Sequence, residues 1–169
     1  MNFEFEVLRV HSKEQATLIM EFALEHPERF EDLFDLLFNK DIRVVQRSAW
    51  PLGMLGKAKP QWFLPYFDKI LTCIENPSHP AVNRNLYRIL QFIPTPEEHQ
   101  GNLFGLCLRD IEDGQAPVAI KAFAMTVAHN IALPYPDLQA ELKITIQENS
   151  SNQSPGYFSR ARKVLKQIG

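Results

Sequence analysis

The chain of 169 residues contains no apolar run long enough to cross a bilayer. Its opening, MNFEFEVLRV, carries two glutamates and no apolar signal core, which argues against a secretory leader. Cysteine is scarce. Cys73 and Cys107 lie far apart, each within an apolar run, as expected of buried, reduced thiols in a cytoplasmic protein. Seven glycines are too few for a small all-β fold, and no stretch alternates with hairpin dipeptides. Catalytic signatures are missing too. The five histidines (His11, His26, His79, His99 and His129) show no metal-ligand spacing such as H-E-x-x-H, and there is no C-x-x-C pair. There is no G-x-S-x-G elbow, phosphate-binding glycine loop or dinucleotide fingerprint. The G-S-S-x-M-P loop of the large helical lyases has no counterpart, and the chain is too short for that fold. These absences predict a protein without catalytic residues, metal or cofactor.

What is present favours helix. Hydrophobic residues make up 45% of the chain and charged residues 22%, enough for one globular domain with a sizeable core. The 12 prolines punctuate the sequence where helices would begin or have just ended, and only Pro51 falls inside an expected helix. Residues 12–25 read as a helix opened by the capping box Ser12/Gln15, with Ala16, Ile19, Met20 and Ala23 as its apolar stripe.

Four segments then align without gaps: DIRVVQRSAWPLGMLG from Asp41, SHPAVNRNLYRILQFI from Ser78, QAPVAIKAFAMTVAHN from Gln115 and SPGYFSRARKVLKQIG from Ser154. Each opens on a polar residue suited to capping and carries a base six residues later: Arg47, Arg84, Lys121 and Arg160. Apolar residues recur in register at Val45, Val82, Ala119 and Phe158, and again at Leu52, Ile89 and Leu165, where Thr126 is the exception. A more apolar helix precedes each segment, over 27–39, 62–76, 97–113 and 136–149. The pattern is helix A, turn, helix B, four times.

The B segments resemble those of the HEAT-like (armadillo-type) helical repeats, whose motif runs close to D-x-x-V-R-x-x-A-x-x-x-L-G. Asp41, Val44, Arg47, Ala49, Leu52 and Gly53 come near it, while later repeats replace the Asp by Ser or Gln. The resemblance spans about residues 27–169. It implies an all-α, right-handed α-solenoid of four helix pairs behind an N-terminal capping helix, about nine helices in all. One domain over 1–169 is expected, with a cap at 1–26 and repeats near 27–59, 60–93, 94–131 and 132–169. In such stacks no pair can bury its apolar face alone, and neighbours supply the rest of the core.

The charges are unevenly placed. Counting 42–59, 77–93, 115–131 and 154–169, the B segments hold 11 bases and no acid, whereas the rest of the chain holds 20 acids and 7 bases. In HEAT-like stacks the B helices line the concave face, so the resemblance implies a basic groove. Trp50 and Tyr87 occupy equivalent positions three residues after the ladder bases Arg47 and Arg84, flanked by Arg43 and Arg88. Aromatic and arginine side chains on one surface are the composition of binding hot spots. The expected binding residues are therefore Arg43, Arg47, Trp50, Arg84, Tyr87, Arg88 and Lys121. The expected partner is another protein offering an acidic or extended segment, with nucleic acid as the alternative and no membrane. The same bases have structural readings as ladder residues between repeats and as C-terminal helix charges, and the two aromatics as packing between repeats. DNA-alkylation-repair glycosylases are also built from HEAT-like repeats, but they place a carboxylate in the groove. The B segments have none beyond the cap, which argues against that chemistry.

Overall fold

The computed structural model describes all residues 1–169. It contains ten α-helices and no strand: α1 (Phe3–Arg9), α2 (Lys13–Glu25), α3 (Phe30–Phe34), α4 (Ile42–Ala58), α5 (Phe67–Glu75), α6 (Pro80–Leu90), α7 (Glu97–Glu112), α8 (Val118–Ala132), α9 (Pro136–Glu148) and α10 (Pro155–Ile168). The all-α architecture agrees with the repeat reading. Helix α1 lies within the N-terminal cap expected at 1–26, ahead of the helix expected at 12–25, although FEFEV alternates apolar and acidic residues. Asn2 nevertheless caps it, its side chain accepting from the Phe5 amide at 3.0 Å, and two acids favour its first turn.

The helix caps follow the sequence in part. Ser12 accepts from the Gln15 amide at 3.1 Å and Asp41 from the Arg43 amide at 2.9 Å. In the second repeat the cap is His79 rather than Ser78: Pro80 takes the first helical position, and His79 Nδ1 accepts from the Ala81 amide at 3.1 Å. In the third it is Pro117 rather than Gln115, and no side chain bonds the free amides there. The first two A segments are not continuous α-helices. Tight 3-10 turns at Pro27–Arg29 and Asp35–Phe38 flank α3, and Pro60–Tyr66 winds as 3-10 before α5. Pro65 inside that last stretch has no amide to donate. Pro51, by contrast, is buried within α4 without ending it.

The chain divides into two compact units, Met1–Ile93 and Pro94–Gly169. In the first unit α4 packs against α6, α2 and α1. The close approach of α4 to α6 depends on Gly56, where a Cβ would lie 2.8 Å from Ile89 Cγ2. An aromatic cluster fills the A side: Phe30 meets Phe63 at 5.0 Å and Trp62 at 5.5 Å, and Phe34 meets Tyr66 at 4.8 Å. In the second unit α8 is the hub, packed by α7, α9 and α10. Its side chains are small enough to be buried nearly all round, among them Ala124, Ala128 and Ala132.

Candidate functional site: the basic faces of α4 and α6

Helix α6 exposes very little. Eight of its 11 residues are buried, leaving Pro80, Arg84 and Arg88 as the stripe open to solvent. Arg84 and Arg88 stand at i and i+4, so their guanidinium groups share one face. Arg84 is exposed. Arg88 is half-buried, its side chain running past Gly53 of α4, where even an added Cβ would stay 3.7 Å from it. Neither guanidinium forms an ion pair or hydrogen bond within the chain. Two like charges one turn apart, without a counter-ion, raise the local positive potential.

On α4 the expected binding residues are engaged by the chain itself. Arg47 Nη1 donates to the Leu8 carbonyl at 2.9 Å. That carbonyl lies in the last turn of α1, where main-chain oxygens lack helical partners and the dipole is negative. Trp50 meets His11 edge-on, with ring centroids 5.4 Å apart. Both side chains line a small crevice with Val7, Ala16 and Ile19, beneath the α1–α2 connection. Arg43 is exposed but bonds its own cap residue, Nη2 to Asp41 Oδ2 at 2.8 Å. This pairing holds the Asp41 carboxyl below the usual carboxylate range, the side-chain bond to Arg43 contributing most and the Arg43 amide next.

Two expected contact residues are not on the surface. Tyr87 has no accessible area and belongs to the core of α6. It falls on the flank that carries Asn83 and Leu90, and the position equivalent to Trp50 is in this repeat a packing position. Lys121 is 3% exposed, on a helix buried nearly all round, and lies in the second unit. The ladder base of the last repeat, Arg160, donates to Thr126 Oγ1 and lies over the Phe123 ring at 5.9 Å. Thr126, the polar exception in the apolar register, is thus the hydroxyl that receives this base.

The ladder is therefore used three ways. Arg47 and Arg160 tie their helices to neighbouring elements, Lys121 is buried, and Arg84 faces solvent. Sequence register alone treats the four as equivalent, and only the presence or absence of an acceptor nearby separates them.

No group of three or more His, Cys, Asp or Glu is arranged to hold a metal ion, and no helix is long and apolar enough to cross a membrane. Cys107 is buried and forms no disulfide. Cys73, expected to be buried, is only half-buried because it sits at the edge of the apolar face of α5, and partial burial pushes its thiol up.

The family of HEAT repeat domains matches residues 5–168, from within α1 to the end of α10. The chain belongs to the HEAT repeat domain family. The match takes in most of α1 and all of α2 as well as the helices of residues 27–168. HEAT repeats typically serve as non-catalytic scaffolds for protein–protein interaction. No curated protein and no solved structure matches the chain.

Proposed function

We propose that this HEAT domain is a non-catalytic interaction module whose first unit binds an acidic, extended segment of another protein across the B-helix face at Arg84 and Arg88. The observation that carries this reading is the stripe on α6, where an exposed Arg84 and a half-buried Arg88, both without intramolecular partners, stand out on an otherwise buried helix. Burying the rest of α6 requires no arginine at these positions. Arg43 at the start of α4 adds a third exposed base, partly neutralised by Asp41. Arg47 and Trp50 contribute by fixing α1 against α4 rather than by touching the partner. Cys73 and Cys107, neither in a disulfide, are consistent with a reducing, cytoplasmic setting.

The test is a titration of the whole chain with a fluorescent peptide rich in Asp and Glu, beside single-stranded RNA and duplex DNA of several sequences. The acidic peptide should bind, more weakly as salt rises, and Arg84→Glu/Arg88→Glu should abolish binding. Binding that ignores sequence across DNA and RNA with a steeper salt slope would establish the nucleic-acid alternative. Unchanged affinity in the double variant would refute the assignment of the site.

A further inference from the structure

A second surface of the first unit has the opposite chemistry. Pro27, Glu28, Phe30, Glu31, Gln61, Trp62, Pro65 and Tyr66 line a groove of about 390 Å³ between the first two A segments. Its walls are aromatic. Phe30 lies edge-on to Trp62 at 5.5 Å and inclined to Tyr66 at 5.7 Å, and both partners remain partly open to solvent. Its rim is acidic: Glu31 is exposed and makes no ion pair, and Glu28 has only His26 beside it, at 3.5 Å. No lysine or arginine lines the groove.

One helical turn further along, the same pair of elements shows what such surroundings hold. There Lys69 Nζ bonds Asp35 Oδ1 at 2.6 Å and sits 4.1 Å from the centre of the Phe38 ring and 5.6 Å from that of Phe34. A carboxylate and two aromatic faces thus enclose an ammonium group. Moving back four residues on each element replaces Asp35 by Glu31, Phe34 by Phe30 and Lys69 by Pro65. The carboxylate and the aromatics recur, but the cation does not. The negative surroundings reach the groove wall: the Tyr66 hydroxyl is held above its ordinary value by burial and then by the Glu31 and Asp35 carboxylates.

We infer that this groove is a binding site for a basic side chain, an arginine or lysine carried on an extended segment of a partner protein, with the cation over Trp62 and Tyr66 and against Glu31. The partner segment supplies the charge that Pro65 does not. Attraction between a cation and aromatic faces adds to the ion pair, and both favour a charged occupant over a neutral one of the same shape. This site is independent of the arginine stripe on α6.

The experiment follows the two tryptophan indole N–H signals by NMR while the whole chain is titrated with an extended hexapeptide bearing one arginine, and with its citrulline counterpart. The Trp62 signal should shift saturably with the arginine peptide while that of Trp50 stays fixed. The citrulline peptide should bind roughly fivefold more weakly or worse. Glu31→Lys, a change at an exposed position without partners, should weaken arginine-peptide binding by at least as much, and Arg84→Glu should leave it unchanged. Equal binding of both peptides, or of a neutral proline-rich hexapeptide, would overturn the inference, as would a Trp62 signal that none of them moves.

Discussion

The two compact units bury their cores by different means. Nine of the 12 phenylalanines and both tryptophans lie in 1–93. The A segments of that unit break into 3-10 turns, and large rings fill the space between them. The second unit relies on long continuous helices and on α8, whose alanines let three neighbours approach. The difference teaches that one repeat pattern tolerates two packing solutions, large rings between short irregular helices or small side chains between long regular ones. The irregular A segments of the first unit leave Trp62 and Tyr66 half-exposed beside Glu31, whereas the second unit buries Phe104 and Tyr157 but leaves Tyr135 and Phe158 at its surface.

The comparison can be broken first at the aromatic cluster. Phe34 is completely buried among Phe30, Phe38, Phe63 and Tyr66. Phe34→Ala should cost about 3–5 kcal/mol, read from chemical denaturation, with protection against amide exchange lost first in residues 1–93.

Glycine separates the units next. Gly56→Ala pushes a methyl group into Ile89 and should destabilise by about 1–3 kcal/mol, despite the better helix propensity of alanine. In α7 of the second unit nothing lies within 4 Å of a Cβ added at Gly105, so Gly105→Ala should raise stability by about 0.5–1 kcal/mol. Opposite signs in thermal melting of these two variants would sustain the contrast. Equal signs would remove it.

A smaller effect concerns Tyr157. Its hydroxyl donates to the Ile146 carbonyl at 2.7 Å, satisfying an oxygen near the end of α9 that has no helical partner, and burial pushes the phenol up to about 12. Tyr157→Phe should cost about 1–2 kcal/mol in denaturant titrations.

The last effect is a pH dependence confined to the second unit. Burial lowers the pKa of His129, whose Nδ1 has no hydrogen-bond partner. The unfolded chain then binds the proton more readily than the folded one. The stability this histidine contributes is complete above about pH 6.5 and is lost as pH falls toward its lower folded value. The melting temperature should drop from pH 7 to pH 5, and His129→Leu should flatten that drop. An unchanged slope in the variant would locate the pH dependence elsewhere.

Periodicity made most helices legible, because burial on one face of a helix leaves a 3.6-residue signature in B segments such as 42–59 and 154–169. It failed for α1, whose seven residues are too few to distinguish a helical stripe from alternation. Caps were legible where a side-chain oxygen precedes the helix, as at Ser12 and Asp41, and shifted where a proline intervened, Pro80 taking the first helical position of α6 and Pro117 the cap of α8 itself. The candidate site was legible as a set of bases but not as a surface. Nothing in the register of Arg47, Arg84, Lys121 and Arg160 foretells which one meets a carbonyl, a hydroxyl or solvent. The groove at Trp62 left no sequence signal either, since its walls come from segments more than 30 residues apart.

The sequence by itself determined that this chain is helical, that its helices come in pairs, and that bases collect on one member of each pair. Those properties follow from spacing along a single helix, which each segment carries whatever its neighbours do. Which bases and rings remain available for a partner was decided only in the tertiary structure. The availability of Arg84 and the engagement of Arg47 depend on what a second segment brings within 3 Å of the guanidinium group. That distance is fixed by packing between elements far apart in the chain.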